Sequence, residues 1–254
     1  MGTLLNAIKR LANIDTSAAD TLRTAEVTPR LPLLNGSNEM VGSAPLSSVA
    51  MFDGVFVYYF SSSADASKRY PRLIKPENWK ASLGTPVGVV LTSGGKSLVI
   101  ALDEATLKWS SADTTGTHPT YITSLALSAA DFDGKANTAL SAAYSQCAGS
   151  EYAPYFCTHY EKKNSDGGAE KGLLAGEWWL PSHGELILIY ANMNKVNYAL
   201  SVCGGTPLPA AGHWSSTELS STYAWGVNVS NGSVHNHTKS SSSYHVRPVA
   251  ALKR

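Results

Sequence analysis

The strongest constraint on the fold is a turn signal close to the end of the chain. Residues 223–230 alternate large apolar and small side chains, and Asn231-Gly232 follows them. An Asn-Gly pair between alternating segments is the strongest short hairpin signal, because both residues tolerate the positive φ that a tight turn requires. A two-residue loop at this pair predicts an antiparallel hairpin in which Asn228 lies opposite His235.

The two faces of the predicted hairpin differ in chemistry. One face carries Trp225, Val227 and Val229, and we expect it to be buried, because every second side chain of a strand lies on the same side. The other face carries small polar side chains and imidazoles, which we expect to point to solvent. Its members are Gly226, Asn228, Ser230, Ser233, His235 and His237.

The segment 213–245 has an unusual composition for a solvated surface. Ser, Thr, Asn, His and Tyr supply 22 of its 33 residues, and only Glu218 and Lys239 carry a full charge. Tyr and His provide contact area, whereas Ser, Gly and Asn provide adaptable hydrogen bonds. This composition is typical of recognition surfaces and favours ligand binding. A polar, loop-rich edge without a ligand is the alternative.

Earlier segments predict further strands. Alternation over 55–60 predicts one strand. Two apolar runs, 86–91 and 97–102, predict a buried hairpin around Ser93-Gly94-Gly95. A strand is also predicted over 246–252, and we expect it to be brought together with 55–60 because both are apolar and bound the domain.

Two helices are predicted between these strands. Residues 136–146 repeat apolar side chains, including Leu140, at intervals of four, and 183–200 has a similar pattern. Ser182 and Glu185 are spaced as a capping box at the start of the second helix. The strands flank the helices instead of alternating with them, which predicts the α+β class.

Residues 1–49 predict an N-terminal arm, and we expect the compact domain to span 50–254. Within the arm, 3–13 has apolar residues at helical spacing and predicts a short oligomerising or anchoring helix, with a plain surface helix as the alternative. Residues 14–50 are rich in Thr, Ser, Pro and Gly and predict little regular structure. The start lacks a cationic segment followed by an apolar run, so we expect no N-terminal secretion signal.

Composition excludes several functional classes. Charged residues make up 15% of the chain and the net charge is +1, so we expect no binding of nucleic acid through a basic field. No apolar run approaches the roughly 18 residues that a membrane helix needs, so we expect no membrane insertion. Cys147, Cys157 and Cys203 are expected to be buried thiols, with a Cys147–Cys157 bridge as the alternative.

Several motifs resemble one protein family in the same order along the chain. They are Gly176-Glu177-Trp178-Trp179-Leu180-Pro181-Ser182, His213-Trp214-Ser215-Ser216-Thr217-Glu218 and Val246-Arg247-Pro248-Val249. Over residues 50–252 the sequence resembles the C-type-lectin-fold variable proteins of diversity-generating retroelements. The resemblance implies a C-type lectin fold over 50–254, preceded by the extended arm, with a variable region at 213–245.

The resemblance also implies where a ligand binds. In that family a reverse transcriptase rewrites adenines in the 3′ part of the gene, and the substituted positions cluster on the ligand-binding surface. An AAC codon randomised at its adenines reaches Ser, Thr, Tyr, His, Gly and Leu, but not Lys, Glu or Trp. The residues implied to bind ligand are His213, Leu219, Ser220, Ser221, Thr222, Tyr223, Gly226, Asn228, Ser230, Ser233, His235, Asn236, His237, Ser240, Ser241, Ser242, Ser243, Tyr244 and His245.

The same reasoning separates fixed from variable positions. Trp214 and Trp225 have a codon without adenine and would not vary, and we expect them to belong to the scaffold. Glu218 and Lys239 need codons that contain adenine, so their retention is not explained by this reasoning. Arg247 is expected to point away from the core and to pair with Glu218 or Glu177.

The function implied by the resemblance is non-enzymatic receptor binding, and host attachment by a phage tail protein is the first hypothesis. A bacterial surface binding protein of the same family is the second hypothesis. Either would act on a virion or at the bacterial cell surface, with a bacterial surface protein or glycan as ligand. The arm favours a homotrimer, with a monomer carrying a flexible tail as the alternative. A lectin-fold enzyme of the formylglycine-generating type is the third hypothesis, although Cys203 has no neighbouring cysteine for that chemistry.

A zinc site is the main alternative for the histidines. His235 and His237 share a strand face and could bind zinc together with His213 or His245. No carboxylate or thiolate accompanies them locally, so we expect no metal and no cofactor.

Overall fold

The structure is a computed structural model that describes residues 30–34, 40–45, 53–61, 71–112, 121–163 and 172–253. The chain divides into two compact units, with the boundary between Phe52 and Asp53. The helix predicted over 3–13 and the predicted domain start near Val49 lie outside the described residues.

The described part of the first unit is an antiparallel hairpin. Its strands are β1 (Arg30–Leu34) and β2 (Met40–Pro45). The sequence predicted little regular structure over 14–50, and that prediction is wrong for these two strands. Pro32 is compatible with the hairpin because both strands of a two-stranded ribbon are edges, where a residue without an N–H is tolerated.

The second unit contains thirteen strands and five α-helices in its described residues. The strands are β3 (Gly54–Ser61), β4 (Pro71–Ile74), β5 (Gly84–Ser93), β6 (Lys96–Ala101), β7 (Ala105–Lys108), β8 (Lys162–Lys163), β9 (Gly172–Leu173), β10 (Trp178–Trp179), β11 (Gly212–Glu218), β12 (Tyr223–Asn228), β13 (Ser233–Thr238), β14 (Ser243–Val246) and β15 (Val249–Ala250). The helices are α1 (Leu125–Ala129), α2 (Gly134–Ala142), α3 (Ala153–His159), α4 (His183–Ala191) and α5 (Met193–Val202).

One sheet has six strands in the order β10–β15–β6–β5–β3–β4. It confirms the strand predicted over 55–60 and the hairpin predicted from the two apolar runs. Gly94 and Gly95, between β5 and β6, have φ of 56° and 77°, as a tight two-residue loop requires. The strand predicted over 246–252 is shorter, because Val246 ends β14 in the other sheet and only Val249–Ala250 form β15. β15 lies in the same sheet as the strand predicted over 55–60, but β5 and β6 lie between them.

The second sheet has five strands in the order β13–β12–β11–β14–β7. β11 and β14 are parallel, with His213 opposite His245, and the other neighbours are antiparallel. A bulge between Trp214 and Glu218 interrupts the β11–β12 ladder. This sheet contains most of the segment for which the sequence predicts ligand binding.

The described residues confirm the α+β class, with two larger sheets and short helices. Among the described helices, none combines the length and apolar character needed to cross a membrane. Cys147, Cys157 and Cys203 are buried free thiols, so the alternative of a Cys147–Cys157 bridge is wrong.

The helix predicted over 183–200 is two helices instead of one. Its start is confirmed, because the Ser182 side chain accepts a hydrogen bond from the Glu185 N–H, and the Glu185 carboxylate accepts one from the Ser182 N–H. Asn192, between α4 and α5, has a non-helical φ of −116° and donates its side-chain amide to the Leu188 carbonyl. Asparagine side chains compete in this way with the helical ladder, which explains the break.

The helix predicted over 136–146 is confirmed as α2, which ends at Ala142, but the apolar repeat that predicted it is not its buried side. Leu140 is 41% exposed, whereas Asn137, Thr138 and Ser141 are buried. Thr138 donates to the Gly134 and Leu180 carbonyls. The helix is therefore held by hydrogen bonds more than by an apolar stripe.

Asp131 is the centre of this buried polar network. Its carboxylate accepts from the Asp133 N–H, the Asn137 side-chain amide and the Thr217 hydroxyl, at 2.9, 2.9 and 2.6 Å. The Ser182 hydroxyl donates to the Asp131 carbonyl at 2.7 Å. One residue thus joins α2, the start of α4 and β11.

Replacing the buried acceptor should cost far more than trimming the exposed leucine. Asp131→Ala leaves the Asn137 and Thr217 donors buried without an acceptor, and we expect a loss of about 3–5 kcal/mol in the free energy of unfolding. Leu140→Ala should stay within about 0.5 kcal/mol. Denaturant titration followed by circular dichroism measures both, and the opposite ranking would show that Leu140 supports the fold.

Candidate ligand-binding surface

The hairpin of β12 and β13 has a longer loop than the sequence predicted. Asn228 lies opposite Ser233 and Gly226 opposite His235, so the predicted pairing of Asn228 with His235 is wrong. Val229 is fully buried and donates its N–H to the Ala211 carbonyl, which moves it from the ladder into the loop. The register differs by two residues, and therefore every side chain keeps its predicted face.

Two tryptophans form the buried support of this region. Trp225 donates its indole N–H to the Ile122 carbonyl at 2.7 Å and stacks on His183, with ring centroids 5.5 Å apart. Trp214 is fully buried and donates to the Leu107 carbonyl at 3.1 Å. Large, rigid side chains whose polar atoms are satisfied hold the strands beneath the surface in place.

Two of the residues predicted to bind ligand are buried. His213 is 1% exposed, and a Cβ at Gly226 would lie 2.6 Å from the His213 carbonyl and from the His235 ring. The prediction that these two positions contact ligand is therefore wrong. The reason is tertiary, because β14 covers one side of His213 and the His235 ring lies over Gly226.

A second buried network lies beneath His213. Arg247 is fully buried and forms an ion pair with Glu104 at 2.8 Å, while it donates to the Ala101 and Thr206 carbonyls. The predictions that Arg247 points away from the core and pairs with Glu218 or Glu177 are thus wrong.

Glu104 receives additional partners from two histidines. His245 Nδ1 lies 3.2 Å and His213 Nε2 3.7 Å from its carboxylate. Burial opposes ionisation, but the contact with His213 and the charge of Arg247 hold the pKa of Glu104 below its usual value. Burial lowers the pKa of His213. The network fixes the β11–β14 junction with a charged carboxylate and a neutral His213.

Lys239 and Glu218 form a fully buried ion pair. The Lys239 ammonium also donates to the Ser220 and Ser221 carbonyls at 3.0 and 2.9 Å and lies 4.6 Å above the Trp109 ring. Its backbone N–H donates to the Thr222 carbonyl, and its carbonyl accepts from Trp109 and Ser110. This pair ties the loops on both sides of the hairpin to the core, which explains why two charged residues occur within an otherwise uncharged segment.

The other predicted residues lie at least partly in solvent. Their members are Leu219, Ser220, Ser221, Thr222, Tyr223, Asn228, Ser230, Ser233, His235, Asn236, His237, Ser240, Ser241, Ser242, Ser243, Tyr244 and His245. We call this set the hairpin-loop surface. Tyr223 is the most exposed of its large side chains, at 40%.

The centre of the hairpin-loop surface is a cluster of aromatic rings. The Tyr244 hydroxyl and His237 Nε2 are 2.7 Å apart, and His235 and His237 have ring centroids 4.5 Å apart. Burial lowers the pKa of His235 to about 4, so its imidazole is neutral at physiological pH. The cluster therefore offers stacking area and neutral hydrogen-bonding groups instead of charge.

Sequence reasoning missed a groove beside this surface. Tyr190, Asn192, Met193 and Lys195, from the junction of α4 and α5, line a space of about 510 Å³ together with Ser230. The run of polar residues that breaks the predicted helix could have indicated it. The groove extends the hairpin-loop surface onto the helices.

The described residues contain no group of three or more His, Cys, Asp or Glu side chains arranged to hold a metal ion. His213 and His245 meet at Glu104, but Arg247 already pairs with that carboxylate. The expectation that binding needs no metal stays a prediction.

Comparison with known proteins gives no functional identity. No family model matches the chain, and no curated protein matches it. One similar solved structure is a fimbrial protein from Bacteroides ovatus ATCC 8483, with 15% sequence identity and a TM-score of 0.47. The match covers 80% of this chain, which spans about half the length of that protein, 49%.

His183, beneath Trp225, should make stability depend on pH. Its Nδ1 lies 2.8 Å from the Ser128 hydroxyl, and burial lowers its pKa to about 4. An unfolded histidine titrates near 6.5, so between about pH 6.5 and 4 the unfolded chain binds a proton that the folded chain does not. Stability should therefore fall as pH drops through this window, by about 3 kcal/mol for this residue.

The test is urea denaturation across that window for the wild type and for His183→Gln. In the variant, the slope of the unfolding free energy against pH should be smaller by the contribution of one proton, roughly 1.4 kcal/mol per pH unit at the steepest point. His235 continues to titrate in both proteins, so a residual slope is expected. Identical slopes in the two proteins would contradict the assignment.

Proposed function

We propose that this chain binds a ligand through the hairpin-loop surface, without catalysis, and that the surface is diversified as in the variable proteins that the sequence resembles. In this proposal the second unit has a C-type lectin fold. Its first strand, β3, and its last strand, β15, share one sheet, which is compatible with that assignment. The role we propose is host attachment by a phage tail protein.

One observation carries this proposal: burial separates the fixed positions from most of the substitutable ones. Trp214 and Trp225, whose codon has no adenine, are buried, and so are Glu218 and Lys239. Of the nineteen residues that the resemblance implies to bind ligand, seventeen are exposed or half-exposed, and only His213 and Gly226 are buried. A surface arranged in this way can change its side chains while the residues that support it stay constant.

The chemistry of the surface suits a protein or glycan ligand at the bacterial cell surface. Ser, Asn, Tyr and His offer hydrogen bonds and stacking without a strong electrostatic field. The described part of the surface includes neutral imidazoles and the exposed ring of Tyr223. A bacterial surface binding protein of the same family would use the same contacts, and the proposal covers a location on a virion or on the cell surface.

The thiols support a non-enzymatic role. Burial raises the pKa of Cys147 to about 12 and that of Cys203 to about 11. A reactive cysteine needs a lowered pKa and access to solvent, and these residues have neither. The formylglycine-generating alternative therefore gains no support from the described cysteines.

Weak individual sites would gain from joint presentation. A diversified surface starts without optimised contacts, and linking several copies raises the effective affinity by about 10²–10⁴ when they can bind together. We therefore propose that the first unit assembles the chain into a homotrimer. A monomer with a flexible tail is the alternative.

Changing exposed residues of the surface should redirect binding without destabilising the fold. The variant combines Tyr223→Ser, Ser233→Tyr and Ser241→Tyr, all within the set that the codon argument allows. The labelled full chain is added to a panel of bacterial strains, and binding is measured by flow cytometry. We expect the set of stained strains to change while the melting temperature moves by less than about 4 °C.

A matched control changes exposed, uncharged residues elsewhere: Asn78→Ser, Ala81→Ser and Ser82→Tyr. These substitutions should leave both staining and melting temperature unaltered. The proposal fails if the surface variant stains the same strains as the wild type, or if only the control variant changes the pattern.

A further inference from the structure

Strand β13 lies at the edge of the five-stranded sheet. It pairs with β12 along its whole length, from Ser233 to Thr238, and no other described strand pairs with it. The Lys239 N–H donates to the Thr222 carbonyl, and this bond shows which residues of β13 direct their main-chain groups toward β12. In an antiparallel pair, every second residue directs its N–H and C=O away from the partner strand.

This alternation directs the main-chain groups of Val234, Asn236 and Thr238 to the free side. In the part of the chain that the structure describes, no backbone hydrogen bond reaches these three residues from another segment. Asn236 is exposed, and Val234 and Thr238 are half-exposed. The edge thus presents a row of donors and acceptors that can pair with another main chain.

β13 lacks the features with which proteins usually protect an edge strand. Its sequence, Ser-Val-His-Asn-His-Thr, has no charged residue and no proline, and its ladder with β12 has no bulge. The other edges of the two larger sheets are different: β4 contains Pro71 and Arg72, and β10 is two buried residues long. At the remaining edge, Lys108 of β7 forms a bridge to Tyr152.

The chemistry of this edge specifies its occupant. Alternating N–H and C=O groups at strand spacing are matched by an extended polypeptide, in the mode of strand addition. A glycan has no main chain with this alternation. A second copy of this chain on the same edge would cover the hairpin-loop surface, which the proposed function requires to be free.

We infer that β13 binds an extended segment of a partner protein, which adds a strand to the five-stranded sheet. This inference rests on the proposed function, because it places the ligand within the hairpin-loop surface. Main-chain hydrogen bonds at Val234, Asn236 and Thr238 supply sequence-independent affinity. His235 and His237 on one face and Asn236 on the other contact the partner's side chains and supply specificity, so diversification changes the partner while the docking geometry stays the same.

The test uses peptides selected from a displayed random library on the full chain. Asn236→Pro removes the outward N–H and keeps the ladder with β12, because residue 236 makes no ladder bond on that side. Asn236→Ala is the matched control, since it removes the side chain and keeps the N–H. Both variants lose the Asn236 side chain, so the comparison isolates the N–H, and we expect the proline variant to bind the selected peptides at least about tenfold more weakly than the alanine variant.

A second measurement does not depend on the folding of a variant. Selected peptides are resynthesised with single N-methyl groups, and binding to the wild-type chain is measured. Strand addition predicts that methylation at alternate positions abolishes binding, whereas methylation at the positions between them is tolerated. Melting curves of both Asn236 variants verify that they are folded.

The outcomes separate this inference from the proposed function. Loss of binding in Asn236→Pro together with the alternating methylation pattern supports strand addition. If Asn236→Pro binds normally but Tyr223→Ser with Ser233→Tyr and Ser241→Tyr does not, the surface binds through side chains alone, and the inference is overturned while the proposed function holds. Binding that resists all of these changes contradicts both. The inference is also overturned if the library yields no peptide ligand, or only peptides that mimic a glycan.

Discussion

The buried ion pair between Lys239 and Glu218 is the interaction on which the candidate surface depends. Lys239 holds Glu218, two carbonyls of the loop before β12, and the face of Trp109 at the same time. A buried pair of charges contributes little net stability compared with apolar packing, but removing one partner is strongly destabilising. Such a pair therefore fixes one arrangement of the loops, whichever side chains the loops carry.

The rest of the surface follows from supports of the same kind. Arg247 and Glu104 fix the junction of β11 and β14, and the Asp131 network fixes the start of α4 beside β11. In each case the fixed residue is buried and bonds to main-chain groups. The exposed residues contribute little to holding the fold. A surface of variable sequence requires this division between buried residues that support the fold and exposed residues that can change.

The sequence predicted local features well and tertiary ones poorly. The capping box at Ser182 and the Gly94-Gly95 turn depend on neighbouring residues, and both are confirmed. The register of the last hairpin depends on burial of Val229 beneath a distant segment, which alternation alone does not reveal. The apolar repeat that includes Leu140 predicted helix α2 but not its buried polar side, because apolar periodicity cannot recognise a core made of hydrogen bonds.

The candidate site shows the same limit. Composition located the surface, since seventeen of the nineteen residues predicted to bind ligand are exposed or half-exposed. Burial of His213 and the pairing of Lys239 with Glu218 depend on contacts between separate strands and loops, and no local pattern encodes them.

The most direct test of the account compares Lys239→Met with Lys239→Met/Glu218→Leu, measuring unfolding free energy and hydrogen exchange at Leu219 and Ser220. We predict that Lys239→Met loses about 3–5 kcal/mol in the free energy of unfolding and that the double variant recovers much of this loss. Hydrogen exchange at Leu219 and Ser220 should be faster than in the wild type in both variants, because both lose the Lys239 ammonium. A single variant with wild-type stability and slow loop exchange would contradict the account.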